Sequence, residues 1–196
     1  TLFRSNTILN LKMQKAKIDV WGVGTKLITA YDQPALGAVY KIVSIEDDQG
    51  VMHDTIKLSN NAEKVSTPGK KQVWRITSRA KGKSEGDYIT FADTDVNALD
   101  EINMFHPTYT YINKTVRDFD AVPLLVPIYD KGQLIYELPS LDEIKAYATK
   151  ELDELWNEYK RVLNPQDYPV DLAKDVWDNK MTLIDNVRKK AHDLSE

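Results

Sequence analysis

The residues with the clearest chemical potential form a glycine-containing loop, Gly22-Val23-Gly24-Thr25, directly after a short apolar stretch. Glycines let backbone N–H groups turn toward an anion without an intervening side chain. Thr25 adds a hydroxyl donor, and Lys26 adds a positive charge. The pattern favours phosphate binding, but a GxG sequence after a strand is also typical of a tight turn. Both interpretations stay open on these residues alone.

Histidine and carboxylate residues give weaker signals. The three histidines stand alone, without the spacing typical of metal ligands, so a surface or structural role is favoured for each. They are His53, His106 and His192. Acidic pairs within residues 47–48 and 93–95 lack the spacing of a calcium-binding loop and are typical of turns. These residues predict no metal site.

A cluster of basic residues surrounds the predicted turn at residues 66–69. Proline presets one backbone angle and glycine tolerates the other, so the sequence favours a turn there. The cluster predicts either an anion-binding face or an ordinary solvated turn. It consists of Lys64, Lys70, Lys71 and Arg75.

Composition excludes several classes of function. The 196 residues include 26 basic and 30 acidic side chains, a net charge of -4, and no basic stripe, so no nucleic-acid partner is predicted. The chain has no cysteine, which excludes disulfides, thiolate metal sites and a cysteine nucleophile and fits a cytoplasmic location. It has no apolar run long enough to span a bilayer and no visible signal peptide, so no membrane partner is predicted.

The elements that would position the glycine loop form a first region, residues 1–36. Residues 5–14 have the apolar spacing of a helix, residues 17–21 predict a short buried strand, and residues 27–30 fit a helix or a strand equally. A lone helix and strand cannot bury both their faces. Since the chain also begins with Thr1, we interpret it as part of a longer protein.

A second region, residues 37–139, is rich in strand signals. The predicted strands carry β-branched and aromatic residues and flank turn sequences. They cover residues 38–46, 51–58, 72–77, 87–91, 110–116, 122–128 and 133–138. Residues 81–86 predict a polar, mobile tip. Pro123 and Pro127 place their strand on a sheet edge, because proline cannot donate to a central ladder.

A third region, residues 140–196, is predicted to be helical. Ser140 and Glu143 form a capping box, in which each side chain accepts a hydrogen bond from the other residue's backbone N–H. A helix with one apolar face follows and is predicted to end at Pro165. Asp171 is predicted to cap a last helix.

Three separate blocks of the chain, in the same order, resemble the nicotinate phosphoribosyltransferase family. They are residues 16–29, 32–41 and 63–75, which contain the glycine loop, the segment that follows it and the basic turn. From about residue 100 to the end the resemblance continues, including residues 168–172, and it is strongest to the bacterial branch.

The resemblance implies an α/β fold class, or α+β for the piece taken alone. It places here the last segment of an irregular α/β barrel, then a β-rich region, then C-terminal helices. It implies an enzyme that joins nicotinate to phosphoribosyl pyrophosphate, giving nicotinate mononucleotide and pyrophosphate in NAD biosynthesis. It further implies coupled ATP hydrolysis, assistance by Mg²⁺, and active sites built across a homodimer.

The resemblance also assigns a role to the glycine loop. Gly22, Gly24 and Thr25 would bind the ribose 5-phosphate of phosphoribosyl pyrophosphate, with Val23 contributing its N–H. The family's nicotinate-stacking aromatics, phosphorylated histidine and pyrophosphate-binding arginines lie upstream of the matched blocks, and the surroundings of His106 do not match the histidine motif. No catalytic residue is therefore carried over. This chain alone is expected to be inactive and to bind neither Mg²⁺ nor ATP.

Two other interpretations compete with this one. A stand-alone scaffold or interaction module with a vestigial phosphate loop would be compact, monodisperse and without affinity for phosphosugars. An enzyme of the same class could use nicotinamide or quinolinate, because the residues that choose among pyridines are absent here. The matched blocks favour nicotinate, since quinolinate enzymes lack this long β-rich and helical extension.

Overall fold

The computed structural model describes residues 5–31, 33–35, 37–109, 111–161 and 163–193. The chain divides into two compact units after Tyr40. The region boundaries predicted after Leu36 and Pro139 stay predictions, and Leu36 itself lies outside the described residues.

The first unit contains two helices, α1 (Ser5–Met13) and α2 (Thr25–Ile28). The helix predicted at residues 5–14 is confirmed, and α2 includes the start of the segment at residues 27–30 that fitted either structure. The strand predicted at residues 17–21 is wrong, because these residues form no strand. A strand needs a neighbour for its backbone hydrogen bonds, and the described residues of this unit supply none.

The second unit is built from ten short strands and two helices among its described residues. The strands are β1 (Ser44–Glu46), β2 (Met52–Asp54), β3 (Lys71–Ser78), β4 (Lys83–Phe91), β5 (Glu101–Phe105), β6 (Asn113–Arg117), β7 (Phe119–Pro123), β8 (Tyr129–Asp130), β9 (Gln133–Leu134) and β10 (Val170–Leu172). The helices are α3 (Leu141–Glu154) and α4 (Lys174–Asp193), and single 3₁₀ turns occupy Ala62–Lys64 and Val96–Ala98.

A curled sheet of six strands, a half-barrel, forms the body of this unit in the order β6-β5-β10-β4-β3-β7. Neighbouring strands run antiparallel except β10 and β4, which are parallel. β1 with β2 and β8 with β9 form separate two-stranded ladders. Because β10 lies between β4 and β5, residues close to the C-terminus complete the centre of the sheet.

One cluster of buried apolar side chains joins the sheet to α4. It comprises Ile76, Tyr88, Val96, Ile102, Met104, Val116, Phe119, Ala121, Leu172, Ala173 and Val176. Trp177 of α4 packs against this cluster and stacks on Phe105 of β5, with ring centroids 6.4 Å apart. The mixed α/β class predicted from the sequence is confirmed.

The strand predictions succeeded where the strands are long and failed where they are short. β3 and β4 extend the strands predicted at residues 72–77 and 87–91, whereas the mobile tip predicted at residues 81–86 is a turn followed by the start of β4. The hairpin predicted before them forms, but β1 and β2 have only three residues each. β5, β7 and β10 were not predicted in these positions. Pro123 does end a strand on the sheet edge, β7, as its residue type predicts.

The capping box predicted for α3 is confirmed. Ser140 Oγ accepts from the Glu143 N–H at 3.3 Å, and the Glu143 carboxylate accepts from the Ser140 N–H at 2.7 Å. α3 ends earlier than predicted, at Glu154, and its C-terminal cap Leu155 takes an extended conformation. The next residue, Trp156, donates its indole N–H to the Ser84 carbonyl at 2.9 Å, a tertiary contact that local sequence does not reveal.

The cap predicted for the last helix at Asp171 is wrong. Asp171 lies within β10, opposite Tyr88 of β4, and is only 6% exposed. α4 begins later, at Lys174. Strand pairing on both sides of β10 outweighs the capping preference of aspartate, because tertiary context routinely overrides a local propensity.

Among the helices in the described part of the chain, none is long and apolar enough to cross a membrane.

Candidate functional site

The predicted phosphate loop lies in the first unit, directly before α2. Gly24 is the N-terminal cap of that helix, Thr25 is its first residue, and no described side chain caps it. The N–H groups of Leu27 and Ile28 donate to the Gly24 carbonyl at 3.0 and 3.4 Å. The N–H groups of residues 23–25 take no part in these two bonds. The loop thus combines uncapped backbone donors with a hydroxyl, the chemistry that an anion site uses.

The space beside Gly22 is open. A Cβ atom built at Gly22 meets no other atom within 4 Å, and its φ lies outside the left-handed region. Gly37 is alike in both respects. Neither crowding nor backbone strain within the described chain therefore requires glycine at position 22. A ligand that approaches the backbone closely would require it.

The basic residues around the turn at residues 66–69 do not form an open anion-binding face. The Lys71 ammonium lies against the turn and donates to three carbonyls, those of Thr67, Pro68 and Gly69. Burial lowers the Lys71 pKa. Arg75 points instead toward two carboxylates. Two of the four predicted cations are therefore engaged within the protein, which favours the structural interpretation of this cluster.

A second polar group, Arg75 of β3, joins the sheet to helix α3. Its guanidinium donates to Asp87 of β4 through Nε at 2.8 Å and Nη2 at 3.3 Å, and to Glu151 of α3 through Nη1. Tyr168 donates its hydroxyl to Asp87 at 3.0 Å. Since that hydroxyl has one hydrogen, Ser84 Oγ is the donor in its 2.6 Å bond to Tyr168. We call these five residues the Arg75 network.

Two members of the Arg75 network, Arg75 and Tyr168, keep one protonation state at physiological pH. The hydrogen bond with Asp87 raises the pKa of Arg75 further above its ordinary value. Burial raises the pKa of Tyr168 well above its ordinary value of 10.0. Arg75 therefore stays charged and Tyr168 stays neutral at physiological pH. Their donors bind groups of the network itself, so we assign it a structural role that fixes α3 to the sheet.

Helix α4 buries one hydrogen-bond donor that lacks an acceptor among the described residues, and it carries one lysine that is almost wholly covered. Lys180 is only 5% exposed and makes no ion pair with the described residues. Burial lowers the pKa of its ammonium. The indole N–H of Trp177 is buried without an acceptor among the described groups. Because the surrounding protein partly desolvates this ammonium, we expect Lys180 to destabilise the chain.

We expect Lys180→Met to stabilise this chain at pH 7 and to raise its midpoint of urea unfolding. Burial depresses the Lys180 pKa below its ordinary value of 10.5, so the folded state binds that proton more weakly than the unfolded state. The penalty is complete below the folded pKa and fades as the pH rises toward 10.5. The gain from the substitution should therefore shrink between neutral pH and that value.

Lys189→Met is the matched control for this prediction, because Lys189 is exposed on the same helix. It should leave the midpoint unchanged at every pH. A Lys180→Met chain that unfolds at a lower urea concentration than the unsubstituted chain would show that the ammonium is well accommodated.

The histidines whose contacts the structure describes have structural partners. His53 Nε2 lies 2.7 Å from the Asp47 carboxylate in the exposed β1–β2 hairpin. His106 Nδ1 accepts from the N–H groups of Thr108 and Tyr109 at 3.1 and 2.9 Å. Within the described residues, no three His, Asp or Glu side chains converge as metal ligands. The described histidine and carboxylate side chains therefore offer no set of three ligands for Mg²⁺.

The fold and the sequence of the second unit match one class of enzyme. A sequence model described as the nicotinate phosphoribosyltransferase C-terminal domain matches residues 70–180. The crystal structure of human nicotinic acid phosphoribosyltransferase superposes with a TM-score of 0.55 at 28% identity, covering 61% of this chain and 24% of that chain. The half-barrel and its helix are thus a phosphoribosyltransferase C-terminal fold.

Sequence relatives give the same result along nearly the whole chain. Nicotinate phosphoribosyltransferase from Bacillus subtilis (strain 168) is 54% identical over 191 residues, 97% of this chain and 39% of the relative. The proteins of that name from Dictyostelium discoideum and Homo sapiens are each 30% identical, covering 92% and 85% of this chain and 31% and 30% of their own lengths. The chain belongs to the nicotinate phosphoribosyltransferase family. It spans well under half the length of these relatives.

Sequence reasoning missed the Arg75 network and Lys180. Arg75 and Asp87 are charged residues inside predicted strands, which is a signal for a paired charge in a sheet. Lys180 follows Val176 by four residues, so it falls on the apolar stripe of α4. The partner Glu151 is 76 residues from Arg75, and no local pattern indicates it.

Proposed function

We propose that the chain is the C-terminal part of an enzyme that condenses nicotinate with phosphoribosyl pyrophosphate. The products are nicotinate mononucleotide and pyrophosphate, in NAD biosynthesis. The observation that carries this proposal is the 54% identity to the Bacillus subtilis enzyme over 97% of this chain. The family match at residues 70–180 supports it.

In this proposal the glycine loop binds the 5-phosphate of the ribose. Backbone N–H groups of Gly22, Val23 and Gly24 and the Thr25 hydroxyl would surround the phosphate oxygens. The open space beside Gly22 and the uncapped start of α2 support this role. Lys26 is not assigned to the site, because its ammonium lies 4.3 Å from the centroid of the Tyr31 ring.

The remaining parts of the chemistry belong to the whole enzyme in this proposal. We place ATP hydrolysis, Mg²⁺ and a cytoplasmic homodimer there, because the resemblance implies them and this chain carries none of the family's catalytic residues. The 196-residue chain is therefore expected to show no turnover with nicotinate and phosphoribosyl pyrophosphate. Product formation by the purified chain would contradict this division of roles.

The loop assignment predicts a specific kinetic effect in a chimera. The chimera is the Bacillus subtilis relative with its matching segment replaced by this chain. Thr25→Ala should raise the apparent KM for phosphoribosyl pyrophosphate. The expected loss of binding free energy is roughly 1.5–3 kcal/mol, the cost of one charge-assisted hydrogen bond. That cost corresponds to roughly 10- to 100-fold. Steady-state kinetics with varied phosphoribosyl pyrophosphate measures it.

Two glycine variants separate phosphate contact from general damage. Gly22→Ala should also raise that constant, because a methyl group would stand between the backbone and the phosphate. Gly37→Ala is the matched control, since both positions are open and free of left-handed strain. An unchanged constant for both Thr25→Ala and Gly22→Ala would refute the loop assignment.

A further inference from the structure

A cleft of about 550 Å³ opens between α3 and the segment after β7. Its apolar lining comes from Val122, Pro123, Leu124, Val126, Tyr136 and Tyr147. Val122, Val126 and Tyr147 are 52%, 54% and 59% exposed, so these side chains lie open. The cleft belongs wholly to the second unit, and its wall on one side is the helix α3.

Polar contacts hold helix α3 to the sheet. Glu151 binds Arg75, the Lys83 ammonium donates to the Asp153 carbonyl at 2.5 Å, and the helix has no buried residue. Its large apolar side chains remain exposed, and they are Leu141, Ile144, Tyr147 and Leu152. A helix with a polar attachment and an open apolar face is suited to bind a further protein surface.

The charged groups at the cleft are already paired. Glu151 binds Arg75, Asp120 accepts from Arg79 at 2.8 Å, and Lys150 lies 3.7 Å from Glu154. A small anion or cation would have to displace one of these partners. Apolar protein side chains would displace only water, and their burial is favourable. The chemistry of the cleft therefore fits a protein segment.

We infer that this cleft receives an apolar segment from the part of the full-length polypeptide that the present chain does not include. The inference rests on the proposed function. The match with the Bacillus subtilis relative covers 97% of this chain but only 39% of the relative. Most of the relative's polypeptide therefore lies outside the matched segment. A second copy of the chain is the competing occupant. The cleft is then an internal interface that joins α3 to the remainder of the enzyme.

Hydrogen exchange in the chimera tests this inference. Backbone amides of α3 should exchange at least about 10-fold more slowly in the chimera than in the 196-residue chain alone. Tyr147→Asp and Val126→Asp in the chimera should abolish that protection, because a carboxylate cannot be buried unpaired in an apolar contact. Tyr111→Asp is the control and should leave it intact, since Tyr111 is 79% exposed and does not line the cleft.

Two outcomes would overturn the inference. Equal exchange of α3 in the chimera and in the isolated chain would show that nothing covers the cleft. Protection that appears in the isolated chain at high concentration, and is lost on Tyr147→Asp, would make a second copy the occupant. Turnover of the same preparations separates the two claims. A chimera with protected α3 and no product would refute the proposed function and leave the cleft assignment standing.

Discussion

Arg75→Met is expected to destabilise this chain by about 3–5 kcal/mol, the usual cost of removing one partner of a buried ion pair. The substitution keeps a long side chain in place but leaves Asp87 and Glu151 without their cation. The side chains of these two carboxylates are only 13% and 22% exposed. Water therefore cannot readily replace the guanidinium. Urea unfolding followed by tryptophan fluorescence measures the loss.

Arg79→Met is the matched control for that prediction. Arg79 lies one residue beyond the end of β3 and pairs with Asp118 and Asp120, but its side chain is 54% exposed and its partners are 66% and 64% exposed. Water can solvate all three groups after the substitution, so the unfolding midpoint should not change measurably. Equal effects of the two substitutions would show that the Arg75 network contributes no more than a surface ion pair.

Gly69→Ala is the second substitution with a large expected effect. Gly69 has a φ of +86°, and a Cβ there would lie 2.6 Å from Phe91 Cε1 and 2.9 Å from Asp54 Oδ2. The left-handed backbone costs an alanine roughly 1–2 kcal/mol. Forcing the neighbours apart costs roughly 1–3 kcal/mol more. We therefore expect a combined loss of roughly 2–5 kcal/mol in the free energy of unfolding.

Gly132→Ala isolates the backbone part of that loss. Gly132 has a similar φ of +79°, yet nothing lies within 4 Å of its Cβ position. It should therefore lose only the cost of the left-handed backbone, roughly 1–2 kcal/mol. Gly69→Ala and Gly132→Ala could instead reduce the free energy of unfolding equally. That result would show that the close approach of Phe91 and Asp54 to Gly69 adds nothing to the cost.

The features that could be predicted from the sequence are those whose cause is local. The capping box at Ser140 depends on residues three apart, and it formed as expected. The long hairpin of β3 and β4 follows from two segments of strand-forming residues, one on either side of a single turn. The glycine loop could be located by its residue types, and its role came from the resemblance of the blocks around it.

The features that could not be predicted depend on partners far along the chain. β10 has three residues, and its residue Asp171 looks like a helix cap until β4 and β5 pair on either side of it. The strand predicted at residues 17–21 fails for the opposite reason. Its apolar residues have no neighbouring strand to pair with, so they form no strand. The tight surroundings of Gly69 also need tertiary structure, since the sequence shows only a turn.

The most direct test of the central claim is product formation by the chimera of this chain with the Bacillus subtilis relative. Purified chimera, supplied with nicotinate, phosphoribosyl pyrophosphate, ATP and Mg²⁺, should form nicotinate mononucleotide, and the Thr25→Ala chimera should need more phosphoribosyl pyrophosphate to do so. A chimera that is folded by circular dichroism and monodisperse, yet forms no product while the unaltered relative does, would contradict the assignment of this chain to the enzyme.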